Sequence, residues 1–115
     1  MERIFEQTLL YDFYGELLTE HQQNIYEDAV YNDMSLSELA SEYGISRQGV
    51  HDLIKRCDRI LQGYESKLHL VEKFTGAKEK IREIEQLTQL SESDLSVTAR
   101  MHRIKELASE LVKEW

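Results

Sequence analysis

Residue types that commonly do chemistry are present in this sequence, but few stand at spacings that let them act together. His21, His51, His69 and His102 show no metal-ligand spacing with one another, and neither a glycine-rich phosphate loop nor a nucleophile motif occurs. Cys57 is the single cysteine, so an intrachain disulfide and a cysteine-built zinc cage within one chain are excluded. Its place in a long apolar stripe assigns it a buried packing role rather than a reactive thiol. Glu83 and Glu85, like Glu106 and Glu110, have cations nearby and read as solvated helix faces. Tyr11, Tyr14, Tyr26, Tyr31, Tyr43 and Tyr64 could stack on single-stranded bases, but they fall on or beside apolar faces, where core packing with the hydroxyl at the rim is expected. No enzyme activity is expected, and no cofactor or metal.

One cluster stands apart. The chain has 115 residues with 14 basic and 22 acidic side chains, a net charge of −8. Residues 1–60 hold five cations against twelve acids, and four of the five, Arg47, Lys55, Arg56 and Arg59, lie within thirteen positions of one another. A whole-surface attraction to nucleic acid is excluded by the acid excess, so any such binding depends on this local patch. Asp52 and Asp58 fall among the cations and dilute it.

The elements that must position the patch are helices. There is no proline and there are only five glycines, which favours an all-α fold. From Glu2 to Leu18 an apolar face of Phe5, Leu9, Leu10, Phe13, Tyr14 and Leu17 opposes Glu2, Glu6, Asp12 and Glu16, predicting a first helix. Thr19 is a candidate N-cap for a second helix of about three turns carrying Ile25, Tyr26, Ala29 and Val30. Asn32-Asp33 reads as a turn, and Ser35 with Glu38 forms a capping box that starts a third helix, ended by Gly44. Ser46 is a further N-cap. Beyond it the apolar positions from Val50 to Phe74 recur every three or four residues and predict one helix of about seven turns. Its heptad seam holds Val50, Cys57, Tyr64 and Val71 at one position and Leu53, Ile60 and Phe74 at the other, with Gly63 and Gly76 as possible bends. Ile81, Ile84, Leu87 and Leu90 form another stripe. After the turn-rich stretch 91–96, a last segment places Val97, Met101, Ile104, Ala108, Leu111 and Trp115 on one face, predicting a helical hairpin or tail.

Residues 36–56 carry the spacing of a helix-turn-helix. Ala40 sits where the two helices cross and must be small; Gly44 can take the positive φ of a sharp turn; Ile45 plugs the angle between the helices; Val50 and Leu53 face the core. The second helix then exposes Ser46, Arg47, Gln48, His51, Asp52, Lys55 and Arg59. Arg47 and Gln48 near a helix N-terminus suit base edges in a major groove, and Lys55 and Arg59 suit phosphates. The expected nucleic-acid-binding set is Ser46, Arg47, Gln48, His51, Lys55 and Arg59.

Leu18-Thr-Glu-His-Gln, Tyr31-Asn-Asp-Met-Ser-Leu-Ser-Glu-Leu-Ala and Tyr43-Gly-Ile-Ser-Arg-Gln-Gly-Val resemble region 4 of bacterial sigma factors. With Leu9-Leu-Tyr-Asp-Phe-Tyr-Gly-Glu-Leu-Leu-Thr and Tyr64-Glu-Ser-Lys-Leu-His-Leu-Val-Glu-Lys-Phe, residues 1 to about 75 are similar to the small YlxM-type proteins. That resemblance implies a helix-turn-helix regulator connected with the signal recognition particle pathway, whose partners are DNA or RNA and particle components. The alternative is an adaptor that binds the targeting GTPase or its RNA without reading DNA.

Two parts are expected: a sigma-region-4-like head over 1–60, and a long helix with C-terminal helices over 61–115 for self-association. Leu61, Tyr64, Leu68 and Val71 are the expected contacts of a homodimer. No stretch has the apolar length of a membrane helix and the N-terminus lacks the layout of a signal peptide, so a cytoplasmic location is expected.

Overall fold

The computed structural model describes residues 3–89 and 96–114, and all regular structure among them is helical. The order is α1 (Arg3–Tyr14), a 3₁₀ turn (Gly15–Leu17), α2 (Glu20–Val30), α3 (Leu36–Tyr43), α4 (Arg47–Leu68), α5 (Leu70–Gln89) and α6 (Val97–Glu114). Residues 1–71 and 72–115 form two compact units, so the first extends past residue 60, where the head was expected to end.

Local chemistry sets the helix starts in the first unit. Thr19 and Gln22 cap α2 reciprocally, Ser35 and Glu38 do the same for α3, and the Ser46 hydroxyl accepts the Gly49 amide at 2.9 Å to open α4. The first helix ends four residues earlier than its pattern suggests, tightening into the 3₁₀ turn at Gly15. A Cβ at Gly15 would stand 2.8 Å from the Tyr11 ring, so only glycine lets that ring lie against the backbone there.

The core of this unit has two parts. Leu10, Tyr14, Leu18, Tyr26, Val30, Cys57 and Leu61 pack α1, α2 and the middle of α4 together. Ile25, Leu39 and Val50 join α2, α3 and the start of α4. Burial pushes the Cys57 thiol up to about 11, in keeping with a packing role. Leu61 is fully buried by its own chain, Tyr64 stacks on Tyr14, and Val71 packs against the same cluster. Of the four expected dimer contacts, only Leu68 is largely exposed. Within the distal half of the apolar stripe, Leu61, Tyr64 and Val71 are covered by the cluster that includes α1, whereas Leu68 and Phe74 stay exposed.

The seven-turn helix is not continuous. His69 takes a left-handed conformation at φ 57°, ending α4 at Leu68, while Gly63 and Gly76 lie inside α4 and α5. Side chains compensate the break. The Tyr14 hydroxyl accepts the Leu70 amide at 3.1 Å and Glu65 Oε1 accepts the Val71 amide at 3.0 Å, satisfying donors at the start of α5.

In the second unit α5 and α6 run antiparallel. Lys80 pairs with Glu114 and Glu110, Arg103 with Glu83, and the Arg100 guanidinium donates to the Leu87 carbonyl. Hydrogen bonds to these carboxylates hold the Lys80 ammonium and the Arg103 guanidinium above their ordinary ranges. Among the described residues of this unit only Leu87 and Leu107 are buried, flanked by the half-buried Ile84, Ile104 and Leu111. The inward face of α6 therefore centres on Leu107, and Val97, Met101 and Ala108, expected inside, are exposed. Leu90, Trp115 and most of the turn-rich stretch lie outside the described residues, whereas Ser96 caps α6 by accepting the Ala99 amide.

Candidate nucleic-acid interface

The interface is built on the turn between α3 and α4. Gly44 has φ 67° and ψ 32°, and its amide and that of Ile45 both donate to the Ala40 carbonyl, the latter at 3.2 Å. This is the left-handed closure that lets a helix stop and the chain reverse within three residues. Nothing lies within 4 Å of a Cβ built at Gly44, so the requirement for glycine there is one of φ alone. Ala40 and Ile45 pack against Ile25, Leu39 and Val50, so the angle between the helices is filled by apolar side chains. Leu39 is the most deeply buried residue of α3 and was missed from the sequence, where Ala40 drew attention as the crossing point.

Helical phase then sorts α4. Val50, Leu53, Ile54 and Cys57 face inward, and Ser46, Arg47, Gln48, His51, Asp52, Lys55, Arg56 and Arg59 are exposed. Leu36, Arg47, Gln48 and His51 line a shallow hollow at the helix start. Gln48 Nε2 donates to Asp52 Oδ1 at 2.9 Å, and His51 Nδ1 lies 3.5 Å from the same oxygen. One amide hydrogen of Gln48 and its carbonyl oxygen stay available to the outside, the pair of groups that matches an adenine edge. The Ser46 oxygen is committed to the cap, which leaves its hydroxyl hydrogen as a donor.

Asp58 departs from expectation. It accepts hydrogen bonds from Tyr26 at 2.6 Å, Gln7 at 3.0 Å and Arg3 at 3.3 Å, so that its carboxylate, one turn beyond Lys55, is taken up in tying α1 and α2 to α4. The patch is therefore Arg47, Lys55, Arg56 and Arg59 against Asp52 alone. None of these four cations has an ion pair among the described residues.

Elsewhere in the unit four further acids are engaged by tyrosine hydroxyls. Tyr11 donates to Glu27 at 2.5 Å, Tyr14 to Glu65 at 2.5 Å, Tyr31 to Asp12 at 2.7 Å and Tyr43 to Asp28 at 2.5 Å. Burial and then the carboxylate bonds raise Tyr11, Tyr14, Tyr26 and Tyr31 above the usual phenol range. For Tyr43 the bond to Asp28 comes first and pushes it up to about 12. The bonds from Tyr43 and Asn32 hold the Asp28 carboxyl low. No group of three or more metal-ligating side chains occurs among the described residues, and no described helix is long and apolar enough to cross a membrane.

Comparison with known proteins agrees with this geometry. A family model described as "Putative helix-turn-helix protein, YlxM / p13 like" matches residues 1–112. A UPF0122 protein of Acetivibrio thermocellus is 40% identical over 116 aligned positions, covering 98% of this chain and 99% of its own. The UPF0122 protein YlxM of Bacillus subtilis is 36% identical across 93% of this chain and 97% of its own, and a relative from Caldanaerobacter subterraneus subsp. tengcongensis is 49% identical across 69% and 68%. The all-α helix-turn-helix chain described here belongs to the UPF0122, YlxM/p13-like family.

Proposed function

We propose that the chain is a regulatory protein that binds duplex nucleic acid, DNA in the first place, through the exposed face of α4. The observation that carries this reading is the set of four cations with no ion pair among the described residues, on the exposed half of a helix held by a glycine turn, in a unit where tyrosines engage Asp12, Glu27, Asp28, Asp58 and Glu65. Arg47 and Gln48 read base edges from the first turn, with Ser46 and His51 beside them, and Lys55 and Arg59 engage phosphates further along. Few phosphates are covered by one head, so the affinity is modest and strongly dependent on salt. Resemblance to the YlxM-type proteins supports a place in the signal recognition particle pathway, with particle components as partners and a cytoplasmic site of action.

The acid excess of the chain favours a second reading, an adaptor that binds the targeting GTPase or its RNA and keeps the fold as a scaffold. Fluorescence anisotropy with a labelled duplex of mixed sequence separates the two. The first reading expects binding at about 50 mM salt that weakens linearly on a log–log salt plot, with the slope falling by about one unit for each cation removed. Absence of duplex binding at that salt hands the function to the adaptor reading.

A further inference from the structure

The hairpin of α5 and α6 is crossed by ion pairs on one broad face and exposes apolar side chains on the other. Lys80 with Glu110 and Glu114, and Glu83 with Arg103, close the first. The opposite face carries Phe74 and Ile81 from α5, 38% and 48% exposed, and Val97, Met101 and Val112 from α6, 56%, 65% and 79% exposed. On each helix these residues follow the inward ones by roughly 120° of rotation. Because the helices are antiparallel, equal rotations bring both stripes to the same side, so they make one apolar surface.

We infer that this surface is the interface with a second copy of the chain, the two hairpins pairing face to face as a four-helix bundle. Two considerations select that occupant. The exposed side chains amount to on the order of 500 Å² of apolar surface, the upper end of what a typical monomer shows in one patch. The stems of Lys78, which stands over the Phe74 ring, and of Lys105 on the rim extend it toward the roughly 800 Å² per partner that a stable pairing uses. Charge agrees with a two-fold arrangement. An axis parallel to the helices lays α5 of one copy along α6 of the other. Glu83 and Arg103 stand level with each other, so Glu85 on the rim of α5 comes within about one helical turn of Lys105 of the second copy. Pairing also supplies what a two-helix unit lacks, since Leu87 and Leu107, the buried pair among its described residues, make a very small core.

The interface thus differs from the one expected from the sequence, where Leu61, Tyr64 and Val71 are consumed by the first unit. It stands whether or not nucleic acid is bound. Sedimentation velocity of the full chain at micromolar concentration should give twice the 13.6 kDa chain mass. The double variant Met101→Glu/Val112→Glu should raise the dimer dissociation constant about a hundredfold or more, with helical circular dichroism retained because both sites are exposed. Leu17→Glu, an equally exposed apolar site in the first unit, should leave association unchanged. A wild-type monomer, or a dimer that survives the double variant, overturns the inference. So does a monomer that binds phosphatidylglycerol vesicles through the same residues, which would make the face a membrane-surface site.

Discussion

The two units of this chain reach helical structure by different means. In the first, every helix buries at least one large side chain in a shared core, and tyrosine hydroxyls tie acids on neighbouring elements: α1 to α2 through Tyr11 and Tyr31, α2 to α4 through Tyr26, α3 to α2 through Tyr43. In the second, among the described residues one leucine from each helix is buried and half-buried ion pairs at the rim of the helix contact do the rest. Phenol–carboxylate bonds with one neutral partner persist in salt better than ion pairs at the surface, which contribute little and are screened. Domain-scale rigidity should therefore belong to the unit that holds α4, and partner-dependent order to the hairpin.

Breaking the core of each unit is the strongest way to separate them. Leu61→Ala should cost the first unit about 2–5 kcal/mol, the range for a buried leucine. Hydrogen exchange should show protection lost throughout residues 3–71. Leu107→Ala should expose the amides of α5 and α6 while leaving α2, α3 and the start of α4 protected. Loss of protection everywhere in the second variant would mean that the units are not independent.

The helix-turn-helix corner is the next lever. Gly44→Val should lower stability by about 1–3 kcal/mol through its φ, since no neighbour crowds the site. Gly44→Asn should recover part of that, because asparagine tolerates the left-handed region. Equal melting of both variants and wild type would contradict the turn geometry.

A smaller effect is expected from pH. The raised phenols of Tyr11, Tyr14, Tyr26, Tyr31 and Tyr43 favour the folded state while protonated. Their stabilisation is complete below the unfolded value of about 10 and is lost as pH rises through the folded values. Absorbance at 295 nm should show these tyrosines ionising together with unfolding rather than before it. Asp28 has the opposite sign: its contribution is present above the ordinary carboxylate value and disappears as pH falls through its lowered one. Tyr43→Phe should move the acid limb of the stability curve and leave the affinity for a duplex unchanged.

Features that depend on a few adjacent residues are legible in the sequence. The caps at Thr19, Ser35 and Ser46, the left-handed Gly44 and the exposed side of α4 each follow from short-range chemistry or helical phase. Features that depend on a distant partner are not. The break at His69 is satisfied by Tyr14, far away in sequence, and Asp58 is withdrawn from the basic patch by Arg3, Gln7 and Tyr26. The last helix carries two apolar stripes, and periodicity alone does not say that Leu107 faces α5 while Met101 faces out. In the sequence the tyrosines only border apolar faces, whereas in the structure five of their hydroxyls donate to Asp12, Glu27, Asp28, Asp58 and Glu65.

The central claim is that α4 presents a usable face to nucleic acid, and the most direct measurement compares two neighbouring variants on the same duplex at the same salt. Asp52→Asn removes the only acid of the patch while keeping an acceptor for Gln48, and Lys55→Ala removes a cation one turn further along. Opposite signs are expected: Asp52→Asn binds several-fold more tightly than wild type and Lys55→Ala several-fold more weakly, with a salt slope lower by about one unit. Unchanged affinity in both, or a change of the same sign, would show that this face of α4 is not where nucleic acid is held.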